Sequence, residues 1–155
     1  MKAFIHFKGK PYSKQHGHKS FTNKNTGKVQ YYSTGEYTNF KTALGWEAAA
    51  QLRRQGWQLQ EDDPVWISLM FKADHNLGDV SNLIGGVEDA LNGLAWADDC
   101  QALIRTCYGV VLKNQDEVEM TIVLETVTGT EPCADSIRAW VRDGLKRRKR
   151  KCRRN

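Results

Sequence analysis

The sequence predicts a single α/β (α+β) domain in which a mixed β-sheet is flanked by helices. Three observations carry that expectation. Val65-Trp66-Ile67-Ser68-Leu69-Met70-Phe71 is a nearly continuous apolar run, the pattern of a strand covered on both faces. Phe40, Ala43, Leu44, Ala48 and Leu52 recur at spacings of three and four, the period of an amphipathic helix. Late in the chain, two strand-like segments flank a short polar turn and read as an antiparallel hairpin. At 155 residues the chain suits one compact unit, divided here into a domain over residues 1–145 and a basic tail over 146–155.

The elements follow in order. Residues 3–7 predict a short strand, and 9–27 a Gly/Lys/Ser-rich loop that holds His16 and His18. Residues 29–33 predict a second strand. From Thr38 the pattern is helical until Gly56 stops it. The apolar run 65–71 is the strongest strand. A polar loop leads to Asp79-Val80-Ser81-Asn82, which reads as the start of a helix with Leu83, Val87, Ala90 and Leu91 on one face, ended by Asn92-Gly93. Strands at 102–113 and 118–127 follow, joined by Asn114-Gln115-Asp116-Glu117. Residues 135–149 predict a last helix that buries Ile137, Trp140, Val141 and Leu145.

The formal charge is +5, from 23 Lys+Arg against 18 Asp+Glu. The last ten residues, KRRKRKCRRN, hold eight bases and no acid, so residues 1–145 carry −3. A block of like charge stays solvated and commonly serves as an arm for nucleic acid; a nuclear-import-like run, an RNA arm and a solubilising end are the alternatives. Cys100, Cys107, Cys133 and Cys152 form no C-x-x-C pair and predict thiols in a reducing compartment, not a zinc site. No apolar run reaches the roughly 18 residues of a spanning helix, and MKAFIHFKGK lacks the apolar core of a signal peptide, so an intracellular protein is expected.

The chemistry concentrates between residues 74 and 101. Asp74, Asp79, Asp98 and Asp99 fall in the two loops that bracket the helix, while Glu88 and Asp89 lie on it. Carboxylates brought together repel unless a cation neutralises them, which points to a hard divalent ion such as Mg²⁺; acids placed for helix capping and dipole are the alternative. The helix is about 20 Å long, so the chain after Asn92 must fold back for Asp79 and Asp99 to share an ion. Gly93, Ala95 and Ala97 permit that turn.

Asp79-Val80-Ser81-Asn82-Leu83, then Glu88-Asp89-Ala90-Leu91-Asn92-Gly93, Trp96, and Asp98-Asp99-Cys100-Gln101 resemble the signature of the RusA-type Holliday junction resolvases, roughly D-x-D-N-L, D-A-L-N-G, an aromatic and D-D-x-Q. Gly9-Lys10-Pro11-Tyr12-Ser13-Lys14-Gln15 is similar to the G-K-P-x-x-K-Q opening of that family. The resemblance covers about residues 3 to 126. It implies a cytoplasmic, bacterial or phage-encoded homodimer that uses one or two Mg²⁺ ions per site to nick four-way DNA junctions in pairs, in recombination and repair. By resemblance, the metal-binding acids are Asp79 and Asp99.

Two departures matter. The family's second aspartate falls on Ser81 and its catalytic lysine on Gly85. Ser81, Gly85 and Glu88 share a helical face, and helical side chains lean toward the N-terminus, so Glu88 can reach back over Gly85 as the replacement carboxylate. Lys14 or another base then takes the lysine's part. Asp98 and Asp89 are expected as weak metal ligands or as groups that hold the ligands in place, Ser81 supports the site, and Asn82 caps the helix or orients Asp99. Lys10, Lys14, Lys19, Lys146, Arg147, Arg148, Lys149 and Arg150 are the candidate DNA contacts. His16 and His18 suit a solvated loop better than a metal. Tyr31, Tyr32 and Tyr37 suit core or interface better than base stacking, and the tryptophans suit packing, with Trp96 beside the site. The departures leave open a catalytically impaired relative that binds branched DNA or a partner protein, and more remotely an RNA-processing or general nuclease.

Overall fold

The computed structural model describes residues 1–13, 18–75, 77, 80–112, 117–127 and 134–152, and only the backbone of 18, 31, 81, 134 and 147–152. A four-stranded sheet has the order β1 (Lys2–Lys8), β6 (Glu119–Thr126), β4 (Val65–Ala73), β5 (Ala102–Val111). β4 and β5 are parallel, joined by a crossover that contains α2 (Ser81–Leu91), whereas β6 runs antiparallel to both β1 and β4. The mixed sheet and flanking helices match the predicted class. A separate two-stranded ribbon, β2 (His18–Thr22) with β3 (Val29–Ser33), stands apart from it.

The late hairpin does not form. β5 and β6 are not neighbours; β4 lies between them. Burial supplies the reason. β6 alternates with Met120, Ile122 and Leu124 fully buried, so it has the apolar content to sit inside the sheet. β5 is mostly exposed and takes the edge. Its one irregularity is a bulge at Arg105, where Ile67 pairs Ile104 and Ser68 pairs Thr106. Arg105 lies over the Trp66 ring and bonds Glu125 at 2.9 Å.

The opposite edge is closed by side chains. Gln55 accepts from Phe4 N–H and donates to Phe4 C=O, and Gln51, one helical turn earlier, does the same for His6. Two carboxamides thus imitate a neighbouring strand and satisfy backbone groups that would otherwise template aggregation. They project from α1 (Gly35–Arg54), which starts three residues before the predicted Thr38 because Thr34 caps it, accepting from Tyr37 N–H. Gly56, at φ +69°, ends it.

Tyr37, Phe40, Leu44, Ala48 and Leu52 form the inward stripe of α1, and Leu83, Val87, Ala90 and Leu91 that of α2. Apart from Tyr37, these residues join Val65, Ile67, Leu69 and Phe71 of β4 in one core. α3 (Ala134–Cys152) buries Val141 and Leu145, as its spacing predicts. Trp140 is 62 % exposed and Trp46 77 %, so neither does the packing expected of it. Trp140 directly precedes Val141, and at 100° per residue it falls to one side of the line through Val141 and Leu145 that faces the core. Two boundaries also move. The expected loop 9–27 contains β2, whose polar sequence HKSFT carries no alternating apolar signal, and the basic segment continues α3 as helix to Cys152. Residues 114–116 of the predicted turn, and 113 of the strand expected before it, lie outside the described residues. No described helix is long and apolar enough to cross a membrane.

Candidate active site

The crossover between β4 and β5 builds the site. Gly93, at φ +79°, reverses the chain after α2; its N–H donates to Trp96 C=O, and the following residues dock on the segment before β4, with Ala97 N–H on Gln60 C=O and Trp57 Nε1 on Ala95 C=O. A short 3₁₀ helix, Asp99–Gln101, follows. Asp98 caps it, accepting from Cys100 N–H at 3.0 Å, and Gln101 completes a capping box. The fully buried Gln101 carboxamide also accepts from Ala97 and Asp98 N–H and donates to Gln60 and Asp63 C=O. A buried amide with all these partners fixes the turn that carries Asp99.

Asp99 itself is left differently. Its Oδ1 is buried and has no hydrogen-bond partner among the described residues. Nearby, Tyr37 is fully buried and donates its hydroxyl to Asp89 Oδ2 at 2.7 Å. Burial raises the Tyr37 pKa, and the Asp89 hydrogen bond and the charges of Asp89 and Asp99 push it further. The phenol therefore stays protonated as a donor, and it stands within the field of both carboxylates. Tyr37 of α1 thus bonds Asp89 of α2 and feels the charge of Asp99. Lys41, one turn along α1, holds its ammonium 5.0 Å from the Tyr37 ring centre.

The other predicted residues fall as follows. Asp79 and Lys14 lie outside the described residues, as does His16, and the Ser81 side chain is not described. Val80, beside Asp79, packs on β5: its carbonyl accepts from Cys107 Sγ, and a Cβ on Gly109 would meet its side chain at 3.0 Å. Asn82 is not the helix cap. It is the second helical residue, and Val80 at the cap position makes no side-chain cap bond. Glu88 is partly exposed on α2, and its carbonyl accepts from Asn92 N–H. Asp74 is exposed and bonded to His75, which holds its carboxyl below the ordinary range. Among the described residues no three His, Cys, Asp or Glu side chains cluster as a metal site.

Two glycines show how other segments approach. A Cβ on Gly86 would overlap the Tyr12 carbonyl and come within 3.2 Å of Phe40, so the N-terminal loop crosses α2 in direct contact, next to Gly85. A Cβ on Gly144 would meet Cys100 Sγ at 3.2 Å, and Cys100 Sγ contacts Val141 C=O. α3, which carries the basic segment, therefore packs against the residue after Asp99. Lys10 is exposed and lies over Tyr12, Lys19 is exposed on β2, and Lys146 is exposed on α3. Arg147, Arg148, Lys149 and Arg150 continue α3. Cys100 and Cys107 are thiols, in agreement with the cysteine spacing.

Sequence reasoning placed Asp89 and Asp99 at the site but not the Tyr37 hydroxyl that bonds Asp89. Tyr37 and Asp89 are 52 positions apart, and no local pattern links them.

Comparison with curated proteins finds no match. The family model described as endodeoxyribonuclease RusA matches residues 9–123, from the Gly9 loop through the crossover and into β6. That span is about three-quarters of the chain and contains Tyr37, Asp89 and Asp99. The chain therefore belongs to the RusA endodeoxyribonuclease family, whose members act on branched DNA junctions.

Proposed function

We propose that the protein is a Mg²⁺-dependent endonuclease that resolves four-way DNA junctions by paired nicks, acting as a homodimer in the cytoplasm during recombination and repair. The observation that supports it best is Asp99 Oδ1, a buried carboxylate oxygen with no partner among the described residues. Leaving such an oxygen unsatisfied costs about 1–3 kcal/mol or more, and a hard cation removes the penalty. The donors are all carboxylate oxygen, which is the chemistry Mg²⁺ prefers.

Asp79 and Asp99 would hold the ion, with Asp98 as a further ligand and Glu88 in place of the carboxylate absent at Ser81. Bound there, Mg²⁺ supplies charge neutralisation at the scissile phosphate and activates water. The protein's own contribution is placement. Gln101 fixes the turn that carries Asp99, and Tyr37 holds Asp89 in one orientation. The Tyr12 carbonyl against Gly86 brings the N-terminal loop to α2 two residues before Lys14, which supports Lys14 as the base that faces the phosphate. Two nicks of like polarity need two sites related by a two-fold axis, hence the dimer.

The experiment is incubation with a synthetic four-way junction and Mg²⁺. Symmetrical nicks in strands of like polarity are expected. Binding without nicks favours the second reading, a catalytically impaired junction binder, which the serine at 81 and glycine at 85 favour. Equal cutting of flaps, duplex and RNA overturns junction selectivity.

A further inference from the structure

We infer that the β2–β3 ribbon is a docking surface for unstacked DNA bases, such as those at a branch point; this rests on the reading that the protein engages branched DNA. The ribbon's two strands pair with each other and with no strand of the main sheet. In its register Lys19 faces Tyr32 and Phe21 faces Gln30, and Asn23 N–H donates to Lys28 C=O as the next pair. Strand alternation therefore places Lys19, Phe21, Lys28, Gln30 and Tyr32 on one face.

All five are exposed, Phe21 at 50 % and Tyr32 at 49 %. The two rings are diagonal neighbours with centroids 6.1 Å apart. One lysine stands at each end of the pair, about 13 Å apart along the ribbon at 3.3 Å per residue. Exposed aromatic faces bracketed by cations fit a partner that is anionic and offers flat apolar surfaces.

Charge decides which partner. Residues 1–35 contain seven lysines and no acid. Such a segment matches a polyanion, and nucleic acid is the polyanion that also presents π-faces. In duplex DNA those faces are stacked on neighbouring pairs, so only phosphates and base edges are accessible. Phe21 and Tyr32 find partners only where bases are unstacked, and this is where an aromatic ribbon distinguishes a branched or single-stranded segment from duplex.

The test uses the full-length protein, a four-way junction carrying 2-aminopurine at the branch point, and a matched duplex. Phe21→Ala with Tyr32→Ala should weaken junction binding by about 10- to 100-fold, from about tenfold per stacked base. It should leave duplex affinity unchanged and abolish the aminopurine fluorescence change. Lys19→Gln with Lys28→Gln should weaken both DNAs by the same factor and reduce the log–log salt slope by about 2. The conservative pair Phe21→Tyr with Tyr32→Phe should bind as the parent does, and all variants should melt with it, because the ribbon lies outside the core. Unchanged junction binding and fluorescence in the alanine pair, or an equal loss on duplex, overturns the inference. Nicking by the unmodified protein in the same samples is scored separately: its absence counts against the endonuclease reading and leaves the ribbon comparison intact.

Discussion

The middle of the chain and its two ends have opposite charge. Residues 36–145 hold all 18 acids against eight bases, while 1–35 and 146–155 together hold fifteen bases and no acid. The middle is where Asp89 and Asp99 sit on a crossover packed into the core. Apart from β1, which joins the main sheet, the ends contribute an outlying ribbon and the last turns of a helix. Acids placed at a rigid, partly buried turn can hold a cation in fixed geometry, but they repel a phosphate until the cation is there. Bases at the periphery need no fixed geometry to attract a polyanion. Under the proposed function the contrast assigns cutting and holding to different parts of the fold, so each should be removable without the other.

The largest effect tests the middle. Asp79→Asn and Asp99→Asn should each lower single-turnover nicking by about a thousandfold, with junction binding retained or improved because a negative charge has gone. Next, Ser81→Asp should raise nicking strongly and Glu88→Gln should lower it. Unchanged nicking in Glu88→Gln removes that carboxylate from the site. For the ends, deleting residues 146–155 should reduce the salt slope of binding by up to about 7, equally on junction and duplex, since phosphate contacts carry no sequence information. An unchanged slope means the segment touches no phosphate.

The smallest effect comes from Tyr37→Phe, which removes the donor to Asp89. Stability should fall by about 1.5–3 kcal/mol, the range for a hydrogen bond to a charged group, and nicking by roughly tenfold. The pH dependence gives a separate check. The folded Tyr37 pKa lies above its unfolded value, so its contribution is complete below about pH 10 and is lost as pH rises beyond that. Melting curves should show this alkaline loss in the parent and a weaker one in the phenylalanine variant.

Much of this was legible in the sequence where the signal is local. The α2 stripe Leu83, Val87, Ala90, Leu91 and its Asn92-Gly93 stop follow directly from helical period and turn chemistry. Strand order is not local. Segments 102–111 and 119–126 read as partners because they are adjacent in sequence, yet the stronger apolar alternation of β6 carries it between β1 and β4, and β5 goes to the edge. The polar β2 pairs through backbone bonds that leave no hydrophobic pattern. At the candidate site, spacing and resemblance nominated the acids, whereas the Tyr37–Asp89 bond depends on how α1 crosses α2 and has no sequence signature.

The separation of cutting from holding is tested most directly by measuring junction affinity across a salt series, and nicking at saturating protein, for Asp99→Asn and for the chain lacking residues 146–155. The account predicts that Asp99→Asn keeps the parental salt slope and does not nick, and that the shortened chain has a shallower slope and nicks at the parental rate once saturated. Loss of binding in the first, or loss of nicking at saturation in the second, would contradict it.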